Sequence, residues 1–445
     1  MISVLHGSAW YPPAHIGGTE VYVAGLVREL RAHGINSRVV TPLGLEQSDS
    51  YEFEGAAVRT YPVSATTSRA ELRGDVRPQS LSRFSEILAD EGPDIYHQHS
   101  WTRGLGAAHL RAARGLGLRT VLTVHVPNNI CLRGTMMRFG QSACDGHINE
   151  VKCGECWCHG RGAPKLLARV LARVPSAFGS AVRQVGLDGR FATALSAKLL
   201  VSERRSELAS MVDNADRVVA VCKWLYDALS RNGVPTKKLV LSRHGVEPSL
   251  LAAAQVANCV GTAPDGVFRL LYLGRWHPVK GVDVLVRAVR AIPKSVRLAL
   301  VIHGVGDGAD ERAYEAMVRR LAEGDKRIRI APPVPRERLV ETLSQASALA
   351  VPSCSLETGP LVVLEAKAVG LPIIGSRLGG IAELTREPED GVLVAPGDVD
   401  AWTNAIIAMA DGFQTTRLVQ CPLKVRTMGD VATDMAKLYQ DLHAC

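Results

Sequence analysis

The stretch that decides the fold is Ala348-Leu-Ala-Val-Pro-Ser-Cys-Ser-Leu-Glu357-Thr-Gly-Pro360-Leu-Val-Val-Leu-Glu365-Ala-Lys-Ala-Val-Gly370. Its first four residues are apolar and predict a buried strand. Pro360 suits the first turn of a helix, and Gly370 suits the position that follows the last turn. The stretch therefore predicts a strand, a loop that holds Glu357, and a helix that holds Glu365. In a parallel sheet such a loop lies at the carboxyl edge, where ligands bind.

Two carboxylates at that edge can accept hydrogen bonds from a hydroxyl-rich ligand, such as a ribose joined to a sugar. Taken alone, the pair has a simpler interpretation: a capping glutamate and a solvated helix glutamate. The stretch Leu270-Leu-Tyr-Leu-Gly274-Arg275-Trp-His-Pro-Val-Lys280-Gly281 predicts a second strand and loop, which bring Arg275 and Lys280 to the same edge. Both residue types bind phosphate oxygens. Two cations and two carboxylates together indicate a nucleotide-sugar site.

Strand and helix patterns alternate along the chain in two series. We predict strands at 2–6, 37–41, 58–63, 95–99, 120–126, 217–222 and 239–242, then at 267–273, 297–303, 328–331, 348–351 and 372–375. Such alternation predicts parallel, doubly wound sheets. The first domain is expected at 1–246, with an insertion without strands at about 128–200, and the second at 247–424, beginning with an irregular link at 247–266. Residues 425–445 should form a terminal helix.

The composition is that of a large α/β protein, with 445 residues of which 47% are hydrophobic. No apolar run is long enough to span a bilayer, and residues 2–6 predict a strand rather than a signal peptide. We therefore expect a cytoplasmic protein with reduced thiols. The net charge is +8, from 52 Lys and Arg against 44 Asp and Glu. The pattern contains no nucleic-acid-binding module, so anionic lipid, phosphorylated substrates or an ordinary basic surface explain the charge.

Several short motifs, in a fixed order, carry a resemblance to a known family. They are Ile16-Gly-Gly-Thr-Glu20, Pro93-Asp-Ile-Tyr-His97-Gln-His99, Thr123-Val-His125, Ala215-Asp-Arg-Val-Val-Ala-Val221, Gly274-Arg275 with Lys280-Gly281, Glu357 with Glu365, and Gly379-Gly-Ile-Ala-Glu-Leu384. Over nearly its whole length the chain resembles glycosyltransferase family 4, whose members are retaining enzymes of the GT-B fold. The resemblance implies two Rossmann-like domains that face a cleft, and a C-terminal helix that crosses back onto the first domain.

The resemblance also implies hexosyltransferase-type transfer from a nucleotide-diphosphate sugar, with retention of configuration and no cofactor required for catalysis. It implies that Glu357 holds the transferred sugar, that Glu365 holds the ribose, and that His125 lies beside the sugar and the acceptor. The predicted catalytic residues are Arg275, Lys280, Glu357 and His125. The predicted donor-binding residues are Gly17, Gly18, Gly274, Arg275, Lys280, Glu357, Gly359, Leu361, Val362 and Glu365. The predicted acceptor-binding residues are Gly18, Glu20 and His125.

The chain departs from the family pattern at one place, because Gly359-Pro360 stands where the family usually has Phe-Gly. Pro360 has no N–H to donate to a phosphate, so the amides of Leu361 and Val362 are the expected donors. No Asp-x-Asp pair lies on a convincing strand-end loop, and the two cations can stabilise the leaving diphosphate instead. His97 and His99 share one face of their strand, and we expect them to be structural.

Five of the ten cysteines lie close together at the start of the insertion. Cys153-Gly-Glu-Cys156 is a C-x-x-C unit with Cys131 and Cys144 upstream, and in a reduced compartment this clustering favours a structural zinc site. The rival ligands are His147, Cys158 and His159. The alternatives are a redox-active pair, simple buried thiols or an iron–sulfur cluster.

The segment Lys165–Val174 has the pattern of a basic amphipathic helix at a membrane surface. Its apolar positions are 166, 167, 170, 171 and 174, and its basic positions are 165, 169 and 173. The alternative is a helix that packs on the protein.

The sequence thus predicts a glycosyltransferase for a glycan, lipid-linked or small-molecule acceptor. It is expected to be active in glycan, glycolipid or polysaccharide biosynthesis and to be associated with the inner face of an anionic membrane. The rival functions are a GT-B epimerase or phosphorylase, or a binding protein without catalysis.

Overall fold

The computed structural model describes residues 1–13, 17–43, 50–63, 79–99, 101–102, 104–186, 189–256, 265–415 and 425–444. The chain forms two compact units. The first consists of Met1–Arg243 and Met428–Cys445, and the second of His244–Thr427. The division between the units falls three residues before the predicted domain boundary at 246/247.

The first unit is built on one large sheet. Its strands are β1 Ser3–Gly7, β2 Asn36–Leu43, β3 Ser50–Phe53, β4 Ala56–Pro62, β5 Ile95–Gln98, β6 Arg119–Val124, β9 Arg217–Ala220 and β10 Leu239–Leu241. Their order is β10-β9-β6-β5-β1-β2-β4-β3. All neighbours are parallel except β3, which pairs antiparallel with β4. The predicted parallel sheet is confirmed, but β3 was missed, because this short edge strand alternates exposed and half-buried residues and has no apolar run.

The helices of the first unit flank this sheet. They are α1 Gly18–Leu30, α2 Gln79–Glu91, α3 Ala107–Gly115, α4 Glu150–Gly160, α5 Lys165–Leu171, α6 Ser176–Gln184, α7 Arg190–Leu195, α8 Ala197–Asp213, α9 Lys223–Arg231 and the terminal helix α17 Met428–His443. One core cluster joins Tyr22 and Val23 of α1 to Met435 and Tyr439 of α17. The last helix therefore crosses back onto the first unit, as predicted.

The inserted segment between β6 and β9 is mainly helical, but it also contains a small hairpin of β7 Met137–Arg138 and β8 Ser142–Ala143. The prediction of an insertion without strands is wrong at this point. The hairpin was missed because its strands are two residues long and carry no periodic pattern. Among the described residues, no helix is both long and apolar enough to cross a bilayer.

The second unit has its own parallel sheet. The strands are β11 Phe268–Arg275, β12 Leu298–Val305, β13 Ile328–Ala331, β14 Ala348–Val351, β15 Ile373–Ser376 and β16 Gly391–Val394, in the order β13-β12-β11-β14-β15-β16. The helices are α10 Pro248–Val256, α11 Val282–Ala291, α12 Ala309–Ala322, α13 Leu339–Ser344, α14 Leu361–Ala368, α15 Gly379–Leu384 and α16 Val399–Thr415. Strand β14 is buried throughout, as expected for a central parallel strand.

The predicted irregular link at 247–266 is wrong over its first half, because Pro248–Val256 forms α10. Proline is well tolerated in the first turn, and leucines and alanines favour the helix that follows. Leu250 packs in a small core with Leu364 of α14. Residues 257–264 of the predicted link lie outside the described residues.

Candidate functional site

Two loops at the carboxyl edge of the second sheet lie side by side, because β11 and β14 are neighbours that pair through Leu270 and Ala348. The amide of Cys354 donates to the carbonyl of Val279 over 2.7 Å, which joins the two loops through their backbones. Gly281 has a φ of +66° between them, and a β-carbon there would collide with the carbonyl oxygen of Pro352. Only glycine suits this combination of left-handed backbone and close approach.

The joined loops bring a lysine and a glutamate into direct contact. Lys280 Nζ lies 2.6 Å from Glu357 Oε1, and the side chains are only 20% and 14% exposed. The hydroxyl of Ser353 donates to the same oxygen over 2.5 Å. The sequence placed Lys280 and Glu357 at one edge, and the structure places them in an ion pair. Ser353 is a further member of the site that sequence reasoning missed, because a serine in a loop carries no distinguishing signal.

The two carboxylates of the site have opposite electrostatic environments. Burial by itself raises the pKa of Glu357, but Lys280, Ser353 and Arg275 outweigh it and hold the pKa below its usual value. Burial raises the pKa of Glu365, and the single opposing cation, Arg336, is 3.9 Å away. Glu357 is therefore an ionised acceptor at neutral pH, whereas Glu365 is a buried carboxylate with weak compensation.

Arg275 lies at the exposed end of β11, and within the described residues its guanidinium has no hydrogen bond or ion pair. The carbonyl of the same residue accepts a hydrogen bond from Tyr272 Oη over 3.0 Å, which fixes the start of the loop. Gly274 precedes it, and a β-carbon there would lie 2.7 Å from the same Tyr272 oxygen. The loop thus has a fixed backbone and presents a cationic side chain to solvent.

The loop after β14 is held from two sides before it enters α14. The amide of Gly380 donates to the carbonyl of Glu357 over 2.6 Å, and a β-carbon at Gly380 would lie 2.5 Å from the amide nitrogen of Gly359. His244 Nδ1 lies 3.0 Å from the carbonyl oxygen of Gly359. The sequence indicated no role for His244. These contacts fix the backbone from which the Glu357 side chain projects.

Pro360 lies one position earlier than predicted. It precedes the first helical residue, with φ −65° and an extended ψ of 124°, and α14 begins at Leu361. The position needs no N–H for the helix, so proline is compatible with it. The amides of Leu361 and Val362 therefore open the helix, and Glu365 follows one turn later.

In the first unit, the predicted residues Gly17 and Gly18 mark the start of α1. The buried side chain of Glu20 folds back, so that its Oε2 would lie 2.5 Å from a β-carbon at Gly17. His125 follows β6 directly and is 5% exposed. The ring of Tyr22 on α1 packs edge-on against the His125 ring, with centroids 4.7 Å apart. The start of α1 and the end of β6 are thereby held together.

His125 belongs to a buried chain of histidines. His99 Nδ1 lies 3.3 Å from His125 Nε2, and His99 Nε2 lies 3.0 Å from His6 Nδ1. His97 Nδ1 contacts Tyr439 Oη at 2.5 Å, and its Nε2 contacts Thr123. Burial lowers the pKa of His6 to about 3 and that of His97 and His99 well below the usual value. His6, His97 and His99 are therefore neutral, and His6 is a member that the sequence did not indicate.

The ligand atoms of His6, His97 and His99 all lie within 4.8 Å of one another, the one such group of potential metal ligands among the described residues. Each of their ring nitrogens has a neighbour within hydrogen-bonding distance: His6 and His99 contact each other, and the other nitrogens contact Ser37, Tyr439, Thr123 and His125. We interpret them as a hydrogen-bonded network. The four predicted cysteine ligands, Cys131, Cys144, Cys153 and Cys156, are half-buried free thiols in the insertion.

Family models match both halves of the chain. The model described as "Glycosyl transferase 4-like domain" matches residues 17–151, and the one described as "Glycosyl transferases group 1" matches residues 267–411. A D-inositol 3-phosphate glycosyltransferase of Acidothermus cellulolyticus is 33% identical over 425 residues, which cover 91% of this chain and 80% of that protein. Matches to three other relatives of the same name span only 36%, 44% and 39% of those relatives' own lengths.

Solved structures share the fold. Sucrose-phosphate synthase from Thermosynechococcus elongatus has a TM-score of 0.62 at 20% identity and covers 100% of both chains. HepE from Anabaena, in complex with UDP and glucose, has a TM-score of 0.57 at 13% identity and covers 100% of this chain and 98% of that one. At such identities the likeness shows the fold alone, two parallel-sheet α/β domains of the GT-B type. Together with the two family models and the Acidothermus relative, it establishes that the chain belongs to glycosyltransferase family 4.

Proposed function

We propose that this chain transfers a sugar from a nucleoside-diphosphate sugar to an acceptor hydroxyl, with retention of configuration and without a catalytic metal ion. The observation that carries the proposal is the buried Lys280–Glu357 pair at the carboxyl edge of the second sheet, beside the exposed Arg275. It places cationic and anionic groups a few ångströms apart, as a diphosphate joined to a sugar requires. Family membership supports this assignment.

The chemical difficulty of the reaction is the negative charge that builds on the diphosphate as the glycosidic bond breaks. Arg275 and Lys280 are the groups that would stabilise it, since preorganised cations in a partly dry site count most where charge develops. Arg275 has a planar fork that matches phosphate oxygens. The amides of Leu361 and Val362, at the start of α14, add donors at the positive end of the helix dipole. With these groups, a divalent cation has no necessary role in leaving-group departure.

Glu357 would bind the sugar. Its carboxylate is ionised and its position is fixed by Lys280 and Ser353, so it is suited to accept a hydrogen bond from a sugar hydroxyl. Glu365 would accept from the ribose hydroxyls, because it lies one turn into the helix that starts at the same loop. A hydroxyl pair would supply hydrogen bonds to this buried carboxylate, whose ion-pair partner among the described residues is Arg336, 3.9 Å away.

The acceptor would bind to the first unit, at Gly18, Glu20 and His125. The name of the relatives makes a phosphorylated cyclitol the first acceptor to test. The donor base to test first is uracil, since HepE has been solved with UDP-glucose. Because several relatives are matched over less than half of their length, both assignments are proposals about substrate class.

We also propose that the insertion contacts an anionic membrane. Helix α5 buries Ala168 and leaves Leu166, Leu167 and Val170 exposed, with Leu166 76% exposed. The basic residues Lys165, Arg169 and Arg173 flank them and are exposed as well. The alternative of a helix whose apolar side packs on the protein does not fit this orientation. Charge and apolar surface on one short helix match a lipid interface.

The experiment is a two-step assay. A panel of nucleoside-diphosphate sugars is first screened for thermal stabilisation, since a ligand of the folded state raises its apparent stability. The stabilising donor is then incubated with cyclitol phosphates, glycans and lipid acceptors, and the anomeric configuration of the product is read by NMR. We expect the product to retain the anomeric configuration of the donor. Activity should survive brief treatment with EDTA, and added Mg²⁺ or Mn²⁺ should not stimulate it. An inverted product or a strict need for either ion would overturn the proposed mechanism.

A further inference from the structure

The insertion brings four cysteines from three separate segments into one region. Cys131 follows a short 3-10 turn, and its amide bonds to the carbonyl of Pro127 over 2.8 Å. Cys144 follows the β7–β8 hairpin, and its amide bonds to Met136 over 2.8 Å. Cys153 and Cys156 lie one turn apart on the same side of α4. A turn, a hairpin and a helix thus each contribute thiols to the same part of the fold.

Two of these sulfurs receive hydrogen bonds from the backbone of the neighbouring segments. The amide of Phe139, in the hairpin, donates to Cys156 Sγ over 3.2 Å, and the amide of Asn149 donates to Cys153 Sγ over 3.5 Å. The Arg133 guanidinium adds a third donor, 3.5 Å from Cys156 Sγ. A neutral thiol is a weak acceptor and gains little from such donors, whereas a thiolate gains much more. Backbone and guanidinium donors therefore surround the sulfurs of Cys153 and Cys156, which also lie near the carbonyl oxygens of His147 and Met137.

The four sulfurs also influence one another. Burial, and then the charges that Cys144, Cys131 and Cys156 would carry, raise the pKa of Cys153 to about 11. Charges on all three other sulfurs act on Cys153, which indicates that the four thiols lie near one another.

The rival ligands named from the sequence are engaged elsewhere. Cys158 is buried against Trp157 and Ala197, and its sulfur faces the carbonyl of Ala194. His147 Nδ1 lies 3.4 Å from the carbonyl of Arg231, and His159 Nδ1 lies 3.0 Å from that of Ala163. Of the rivals, Cys158 is the one whose side chain is buried in a separate apolar cluster.

The geometry points to a tetrahedral zinc site formed by Cys131, Cys144, Cys153 and Cys156, structural in role and lying in the insertion. Among the described residues no three thiols lie within 4.8 Å of one another, so binding would draw the sulfurs inward to about 2.3 Å from the ion. The ion would tie the hairpin to α4, on which α5 packs.

The test is elemental analysis of the full chain, purified under reducing conditions without chelator. We expect about one zinc ion per chain, as for a closed four-cysteine site. Cys144→Ser and Cys156→Ser should each lower the zinc content at least about tenfold. Cys158→Ala, on the same helix and buried, is the matched control and should keep its zinc.

A second measurement covers variants that fail to fold. The wild-type chain is loaded with Co²⁺, and thiolate-to-cobalt charge-transfer absorption that is absent from folded Cys144→Ser or Cys153→Ser supports the site. The site is overturned if the wild-type protein contains no metal and all four of its thiols react with a thiol reagent while it is still folded. Bound iron with a visible cluster spectrum overturns the zinc assignment, and zinc retained by Cys144→Ser, Cys153→Ser and Cys156→Ser overturns the ligand set.

Discussion

Lys280 Nζ and Glu357 Oε1 lie 2.6 Å apart, although the residues are 77 positions apart in the chain. The contact couples the group proposed to hold the diphosphate to the group proposed to hold the sugar. Each side chain is mostly buried, and Lys280 stabilises the charge of Glu357. A donor sugar that bound here would therefore meet a preformed pair, and the two roles should not be separable by mutation of Lys280 alone.

Lys280→Met should lower turnover by about two to three orders of magnitude, since it removes a preorganised charge stabiliser. It should also shift the acid limb of the rate profile to higher pH, because burial then dominates the pKa of Glu357 and raises it. Rates of transfer measured across pH check both effects. Lys326→Met replaces an exposed lysine of the same unit and should change neither. Normal turnover in Lys280→Met would contradict the diphosphate role.

Glu357→Gln and Glu365→Gln should have different effects on ligand binding. Glu365 would hold the ribose, so its loss should weaken nucleoside-diphosphate binding by about 1–3 kcal/mol. Glu357 would contact the sugar, so Glu357→Gln should depress transfer while the diphosphate still binds nearly normally. Calorimetry with the nucleoside diphosphate measures the difference. Equal losses of affinity in the two variants, or full activity in both, would show that this division of roles is wrong.

The same two substitutions should change the stability of the unliganded protein in opposite directions. The pKa of Glu365 is raised in the fold, so its ionised form costs stability at neutral pH, and Glu365→Gln should raise the melting temperature there. The pKa of Glu357 is lowered, so its charge contributes stability above the usual carboxylate pKa. Glu357→Gln should therefore lower the melting temperature. The Glu365 difference should shrink as the pH falls from neutral towards the usual glutamate pKa of about 4.3, whereas the Glu357 difference should shrink only below that pH.

The strand–loop–helix units were predictable from sequence because an apolar run, a proline and a terminal glycine are local signals, as at Val351, Pro360 and Gly370. The pairing of Lys280 with Glu357 was not, because it depends on which strands are neighbours in the sheet. Ser353 and His244 carry no pattern that separates them from other loop residues. The apolar and basic sides of α5 were predictable from its pattern, but the buried side was not, since that depends on packing against α4.

Stability should fall as the pH drops below about 6.5, the usual histidine pKa. His6, His97 and His99 have lowered pKa values in the fold, because burial disfavours their charged forms. The unfolded chain then binds more protons than the folded one, and each histidine can cost up to about 1.4 kcal/mol per pH unit. Urea unfolding at pH values from about 7.5 down to about 5 tests this, since carboxylates remain largely ionised there.

His6→Gln should reduce the pH dependence of the free energy of unfolding by the contribution of one histidine. His33→Gln, at an exposed position, should leave that pH dependence unchanged. Stability that stays constant over this pH range would mean that the histidine network is open to protonation in the folded protein.

His99→Gln should also lower turnover with little change in KM, if His99 fixes the ring of His125. If His99→Gln and a control variant that is destabilised to the same extent lose turnover equally, the effect of His99→Gln is due to folding and not to the position of His125.

The α5 surface should bind vesicles that contain anionic lipid, and salt should weaken the binding. Lys165→Gln, Arg169→Gln and Arg173→Gln together should weaken it, because each basic residue near such a surface is worth about 1 kcal/mol. Leu166→Ser with Val170→Ser should weaken it further by removing apolar area from the interface. Co-sedimentation with vesicles of varied anionic content measures these changes.

Leu116→Ser is the matched control, because Leu116 is an exposed leucine of the same unit that lies outside the insertion. If charge alone drove association, the two serine substitutions on α5 would leave the binding intact and the three glutamine substitutions would abolish it. If apolar contact alone drove it, neutral vesicles would bind as well as anionic ones. Our proposal requires both contributions, since the exposed Leu166 and Val170 lie within one turn of Arg169. Binding that survives both sets of substitutions would place the membrane contact elsewhere on the chain.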